Sequence, residues 1–123
     1  MLTREVKDWM DLGVLEAREG RYRTAMELYD RALLNYPTYA EAWAWKAAAY
    51  AQLNKFQDAL DCAEQAIAAD PRYEWGYFRK ARTLESMGEV MAAYAVYVRA
   101  LEVNPDFQMA AQRVRDLKMR LGM

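Results

Sequence analysis

The side chains in this 123-residue sequence best equipped for chemistry are two tryptophans and two arginines: Trp45, Trp75, Arg79 and Arg82. What they can do is recognise rather than react. Indole rings offer large apolar faces that also attract cations, and guanidinium groups fork onto carboxylates. The reactive inventory is thin. The chain has no histidine, the side chain that most often serves as general base or metal ligand. Cys62 is the one cysteine, so no internal disulfide can form. It lies in an apolar stretch with no histidine to activate it and reads as a small buried hydrophobe. No glycine-rich loop is present to cradle a phosphate. The sequence therefore argues against an enzyme, and it implies no cofactor and no metal.

Composition narrows the partner class. With 54% hydrophobic and 28% charged residues the chain belongs with folded proteins rather than disordered ones. A net charge of -1 argues against nucleic acid, which is bound mainly through an excess of Lys and Arg. No apolar run approaches the roughly 20 residues that a membrane helix needs. The start, MLTREVKDW, carries charges where a secretion signal would need an apolar core. A cytoplasmic protein without membrane or nucleic-acid partners is the expectation.

The elements that position the tryptophans and arginines follow from a repeat. Moving 34 residues either way from Ala59, Ala66 and Pro71 returns Ala25 and Ala93, Ala32 and Ala100, and Pro37 and Pro105; Trp43 is matched by Trp9 and Tyr77. Three units, 6–39, 40–73 and 74–107, tile one domain of 1–123 and are followed by a tail. A fixed period of this size signals stacked helical pairs, each too small to bury its apolar face alone. Gly20, Asn54 and Gly88 break each unit into two helices, since Gly and Asn accept the left-handed backbone that ends a helix. The prolines end the second helix of each unit. Helices are expected at 6–19, 22–35, 40–53, 56–69, 74–87 and 90–103, with a Thr38–Glu41 capping box opening the third. A seventh, 107–121, has one apolar stripe and reads as a cap on the open end of the stack; Gly122 and Met123 are expected to be disordered.

Within each unit, positions 4, 8 and 11 of the first helix share a face. The small residue at position 8 (Gly13, Ala47 or Ala81) meets the small residue at position 20 (Ala25, Ala59 or Ala93), which lets the two helices approach closely. Lys46 and Lys80 fall at the edge of this face, stem packed and ammonium in water. Tyr39, Tyr73 and Phe107, at position 34, read as packing at unit junctions.

This pattern resembles the tetratricopeptide repeat, whose consensus has an aromatic residue, Leu, Gly/Ala, Tyr, Ala, Phe/Tyr, Ala and Pro at positions 4, 7, 8, 11, 20, 24, 27 and 32. The Gly/Ala, both Ala positions and the Pro match in all three units; Glu16, Lys46, Lys80 and Ala63 are the main departures. The resemblance covers 6–107 and implies an all-α solenoid of three helix-turn-helix repeats with a terminal helix, seven helices in all. It also implies a concave groove, lined by positions 2, 5, 6, 9, 12 and 13 of each first helix, that holds an extended peptide or a partner helix.

Those positions differ between the three units, as expected where a ligand rather than the fold selects them. Trp45 and Trp75 should be neighbours, with Met10, Val14, Ala48 and Phe78 extending an apolar strip. Arg79 and Arg82, joined by Arg113, give the groove a basic end. Large exposed apolar patches mark interaction sites, and tryptophan is enriched at binding hot spots. The run 76–81, GYFRKA, looks like the third repeat of chaperone-binding members, which grip a C-terminal Asp with two Lys, two Asn and one Arg. The matching positions here are Met10, Val14, Trp45, Trp75 and Arg79; only the arginine is kept, which puts that mechanism in doubt.

The reading is a non-catalytic adaptor, scaffold or co-chaperone module. It would take a segment of a protein or peptide with a bulky apolar anchor and an acidic group or C-terminal carboxylate. A rival makes the aromatic face a homodimer interface, and a third has the groove filled by another part of a longer polypeptide.

Overall fold

In the computed structural model, which describes residues 2–123, no strand occurs among the described residues and the chain is helical throughout. The helices are α1 (Arg4–Arg18), α2 (Tyr22–Asn35), α3 (Ala40–Gln52), α4 (Phe56–Ala69), α5 (Glu74–Ser86), α6 (Val90–Val103) and α7 (Gln108–Arg120). They pair as α1 with α2, α3 with α4 and α5 with α6; each pair stacks on the next, and α7 closes the far end against α6. The first helices of successive units also meet directly, α3 against α5. The solenoid expected from the 34-residue period is the fold observed.

The same local chemistry ends each helix. Gly20, Asn54 and Gly88 have positive φ, at 79°, 60° and 83°. One residue later the backbone N–H of Arg21, Lys55 and Glu89 donates to the carbonyl of Glu16, Tyr50 and Leu84, at 2.9 Å each time. The chain end repeats this turn. Gly122 has φ 72° and Met123 N–H donates to Lys118 O at 3.0 Å, so the last two residues continue the pattern rather than trailing off as disordered.

Helix starts depart from expectation. α3 begins at Ala40 with Tyr39 as its N-cap, which leaves Thr38 one residue outside the helix, and no side chain caps this start. The capping box does not form; Glu41 instead accepts a hydrogen bond from the Tyr39 hydroxyl at 3.3 Å. Thr3 is the residue that does cap, its hydroxyl accepting from Val6 N–H at 3.3 Å, and it starts α1 two residues earlier than the periodicity indicates.

The small-residue seam forms the core of every pair. Ala25, Ala59, Ala93, Ala32, Ala66 and Ala100 are fully buried. The position-4 aromatics tie units together through the prolines: Trp43 Nε1 donates to Pro37 O and Tyr77 OH to Pro71 O, both at 2.9 Å. Lys46 and Lys80 have a reason that the consensus hides. Each crosses to an acid on the second helix of the preceding unit, Lys46 to Asp30 at 2.7 Å and Lys80 to Glu64 at 2.5 Å. Burial acts to lower the Lys46 pKa, but its hydrogen bond to Asp30 and that carboxylate's charge outweigh it, and the net shift is upward.

Two predictions follow from the first unit. A Cβ at Gly13 would lie 2.6 Å from Tyr29 Cε1, and Tyr29 is fully buried and unable to retreat. Gly13→Ala should therefore lose about 1–3 kcal/mol to overpacking, despite alanine's higher helix propensity. Chemical denaturation would check this. Tyr29 also carries a buried hydroxyl with no hydrogen-bond partner among the described residues. Its counterpart Tyr97 donates to Glu85 Oε1 at 2.8 Å, but the residue of the first unit that matches Glu85 is Ala17. Tyr29→Phe should be neutral or stabilising by up to about 1 kcal/mol, whereas Tyr97→Phe should cost about that much by removing a partner from Glu85. Paired denaturation midpoints would decide it.

Candidate functional site

The first helices α3 and α5 run side by side, and a chamber of about 230 Å³ opens between Glu41, Ala44, Trp45, Tyr73, Trp75 and Arg79. Trp45 and Trp75, 30 residues apart in sequence, are brought to one spot as the repeat register expects. Neither indole is loosely held. Trp75 packs on Phe107 at a ring-centroid distance of 5.0 Å and edge-on to Phe78 at 5.3 Å, and Trp45 packs against the first unit's core.

Arg79 sits over these rings. Its guanidinium carbon is 5.2 Å from the Trp75 ring centroid, 5.9 Å from that of Trp45 and 5.9 Å from that of Phe78. None of the salt bridges among the described residues includes Arg79 or Arg82. Burial pulls the Arg79 pKa below its ordinary value, the mark of a cation short of solvent and of a counter-ion. Nearby, burial and then the Glu41 carboxylate push the Tyr73 phenol well up, so it stays neutral. Glu41 is the one carboxylate in the chamber wall.

The expected site residues Met10 and Arg113 line neither this chamber nor a second one beyond it in the same crevice, and Phe78 reaches the second only as a largely buried floor. Met10 and Phe78 are only 2% exposed, each in a core cluster, and Ala44, at the same repeat position, is equally buried. Position 5 therefore forms a floor between neighbouring units: Ala44 lines the first chamber and Phe78 the second, with positions 2, 6, 9, 12 and 13 of α3 and 2, 6, 9 and 13 of α5 around them. The signal was in the sequence: position 5 is apolar in all three units (Met10, Ala44 and Phe78), whereas the groove positions mix charge and size. The expected strip thus shrinks to two half-buried indoles with Ala48 and Val14 beside them, which leaves little continuous aromatic surface for two copies to share. Arg113 does not join the basic end. It is tied to Glu85 and to Asp116, the latter at 3.0 Å, and Glu85 also accepts from Tyr97. Arg79 and Arg82 stand alone.

The position-34 aromatics divide. Phe107 is buried against Trp75 and Phe78, and Tyr39 stacks on Tyr36 at 5.6 Å, both as packing residues. Tyr73 does more, since it also lines the chamber; its place at the foot of α5, two residues before Trp75, was the available clue. Cys62 is 5% exposed, and burial pushes its thiol up to about 11, which fits an inert core residue. Among the described residues no helix is long and apolar enough to cross a membrane.

Known proteins share this architecture. The first repeat domain of Spaghetti (RPAP3), solved bound to the HSP90 peptide SRMEEVD, superposes with a TM-score of 0.91 at 22% identity, over 100% of both chains. The Sgt2 repeat domain from Aspergillus fumigatus gives 0.90 at 22% identity, over 98% of this chain and 81% of that one. At these identities the likeness establishes the fold. Among curated sequences, a small glutamine-rich tetratricopeptide repeat-containing protein 2 from Mycosarcoma maydis is 29% identical over 101 residues, covering 82% of this chain and 29% of its own. An Hsp70-Hsp90 organising protein from Plasmodium falciparum is 26% identical over 118 residues, covering 94% of this chain and 47% of its own. The chain spans less than half the length of these curated relatives. Models of the tetratricopeptide repeat match residues 10–74 and 76–107. With the 34-residue register, the small-residue seam and the helix order all in place, the chain belongs to the tetratricopeptide repeat family.

Proposed function

We propose that this chain is a non-catalytic protein-binding module of adaptor, scaffold or co-chaperone type. Its three repeats and terminal helix act as one unit that holds a short segment of a partner in the concave groove. Trp45 and Trp75 take a bulky apolar side chain, Arg79 and Arg82 take a carboxylate, and Ala48 and Val14 extend the apolar floor; Met10 and Phe78 support it from beneath. The observation that carries this reading is Arg79, a guanidinium packed against two indoles with no salt bridge to a carboxylate among the described residues. A cation held out of water without a counter-ion is costly to the fold, and a ligand carboxylate would supply the missing partner.

The relatives support the class of partner. The RPAP3 domain binds an HSP90 peptide ending in EEVD. Here four of the five positions matching the chaperone clamp are apolar or aromatic, and one of them, Met10, is buried. SRMEEVD should therefore bind this chain at least about tenfold more weakly than a peptide with an apolar anchor and a single carboxylate. Equal affinities by calorimetry would contradict that. The wider test is affinity capture from a lysate with wild type beside the Trp45→Ala, Trp75→Ala variant, where retention of the same proteins by both would sink the assignment.

A further inference from the structure

The crevice between α3 and α5 contains a second chamber, of about 270 Å³, whose walls include Ala48, Ala51, Gln52, Arg82, Ser86 and Met109. Arg79 lines both chambers. Ala44 and Ala51 are seven residues apart, as are Trp75 and Arg82, which places the two chambers about 10 Å apart along the helices. Charge is polarised over that distance. Glu41 stands at the indole end, Arg82 at the far end, and Arg79 between them. A carboxylate entering the crevice is repelled by Glu41 and drawn toward the two guanidinium groups. Ala48 and Ala51 keep the floor low where a ligand backbone would cross.

We propose that this crevice reads a partner segment in two parts: a bulky apolar side chain in the indole chamber, and a carboxylate two or three residues away at the Arg79–Arg82 end. The inference rests on the groove being a peptide site and adds spacing and polarity to it. An extended chain advances about 3.3 Å per residue, so about 10 Å corresponds to three residues and the nearer approach to Arg79 to two. Glu41 acts as the specificity residue that rejects segments with an acid directly beside the anchor. The occupant is a segment of another protein, matched by charge to two arginines that form no salt bridge among the described residues.

Synthetic peptides with one Trp and one Glu in a Gly/Ser background, blocked at both ends so that Glu is the only carboxylate, provide the test. The separation runs from adjacent to about six residues in both chain orders, and binding is read from amide shifts in NMR titrations, which detect affinities near ~1 mM. Affinity should peak at a separation of two or three residues, about tenfold above adjacent or distant pairs. Glu41→Gln should raise binding of the adjacent pair about threefold and leave the spaced peptides unchanged. Arg82→Gln should flatten the spacing profile. Equal affinity at every separation would overturn the two-part reading while leaving the groove as an apolar peptide site. No perturbation of groove residues at any separation would overturn both. Groove shifts that depend on protein concentration alone would make the occupant a second copy, and would also overturn the proposal.

Discussion

Alanine at Trp45 and Trp75 together is expected to abolish partner capture while the chain stays helical. Each indole offers a ligand an apolar face worth about 1.5–3 kcal/mol when buried, so losing both costs about 3–6 kcal/mol, a hundredfold or more in affinity. The rim charges cannot make that up, because exposed ion pairs contribute only about 0–1 kcal/mol. The two rings are not equivalent for folding. Trp75 is wedged against Phe78 and Phe107, so its truncation should also lose about 2 kcal/mol of stability, part of the cost of deleting a fully buried aromatic. Circular dichroism at low temperature, run beside the capture assay, separates lost binding from lost structure. Capture that survives in a folded double variant contradicts the assignment.

Arg79→Leu should separate function from folding in the opposite direction. The guanidinium is half-buried, and its pKa is lowered by burial. A folded-state pKa below the unfolded value means that the charged form is disfavoured by the fold. Arginine stays charged at every accessible pH, so this cost is constant rather than appearing in a pH window. Contacts with the indole and Phe78 rings offset part of it, at about 0.5–1 kcal/mol each. Leucine keeps apolar contact and removes the unpaired charge. The variant should be as stable as wild type or gain up to about 1 kcal/mol, yet lose about 2–3 kcal/mol of binding to any ligand that brings a carboxylate. Thermal denaturation and peptide titration of one sample check both halves. A variant that melts lower and binds normally would show that Arg79 serves the fold instead.

The fold was legible because its signals are local and repeated. Two alanine positions, a Gly/Ala position, a proline and a left-handed breaker in a 34-residue register specify helix pairs whatever else the sequence carries. The site was legible in part. That Trp45 and Trp75 meet follows from register alone. That Met10 and Phe78 are almost wholly buried follows from where position 5 points when neighbouring first helices touch; its apolar character in all three units hinted at this, but the period of a single helix cannot show the contact itself. The pairing of Arg113 with Glu85, 28 residues earlier, was hidden for the same reason. So were the Lys46–Asp30 and Lys80–Glu64 pairs, which turn two departures from the consensus into inter-unit links. Each of these depends on where one repeat sits on another, and a repeat read by itself carries no such information.

If partners are held between α3 and α5 as proposed, site-specific photo-crosslinking will find them there. A photoreactive phenylalanine analogue would replace Ala48, in the wall of the crevice, or Leu34 of α2, which is 84% exposed and lines neither chamber. Crosslinked partner from position 48 and none from position 34 is the predicted result; adducts from position 34 alone would place the partner on the outer surface and contradict the account.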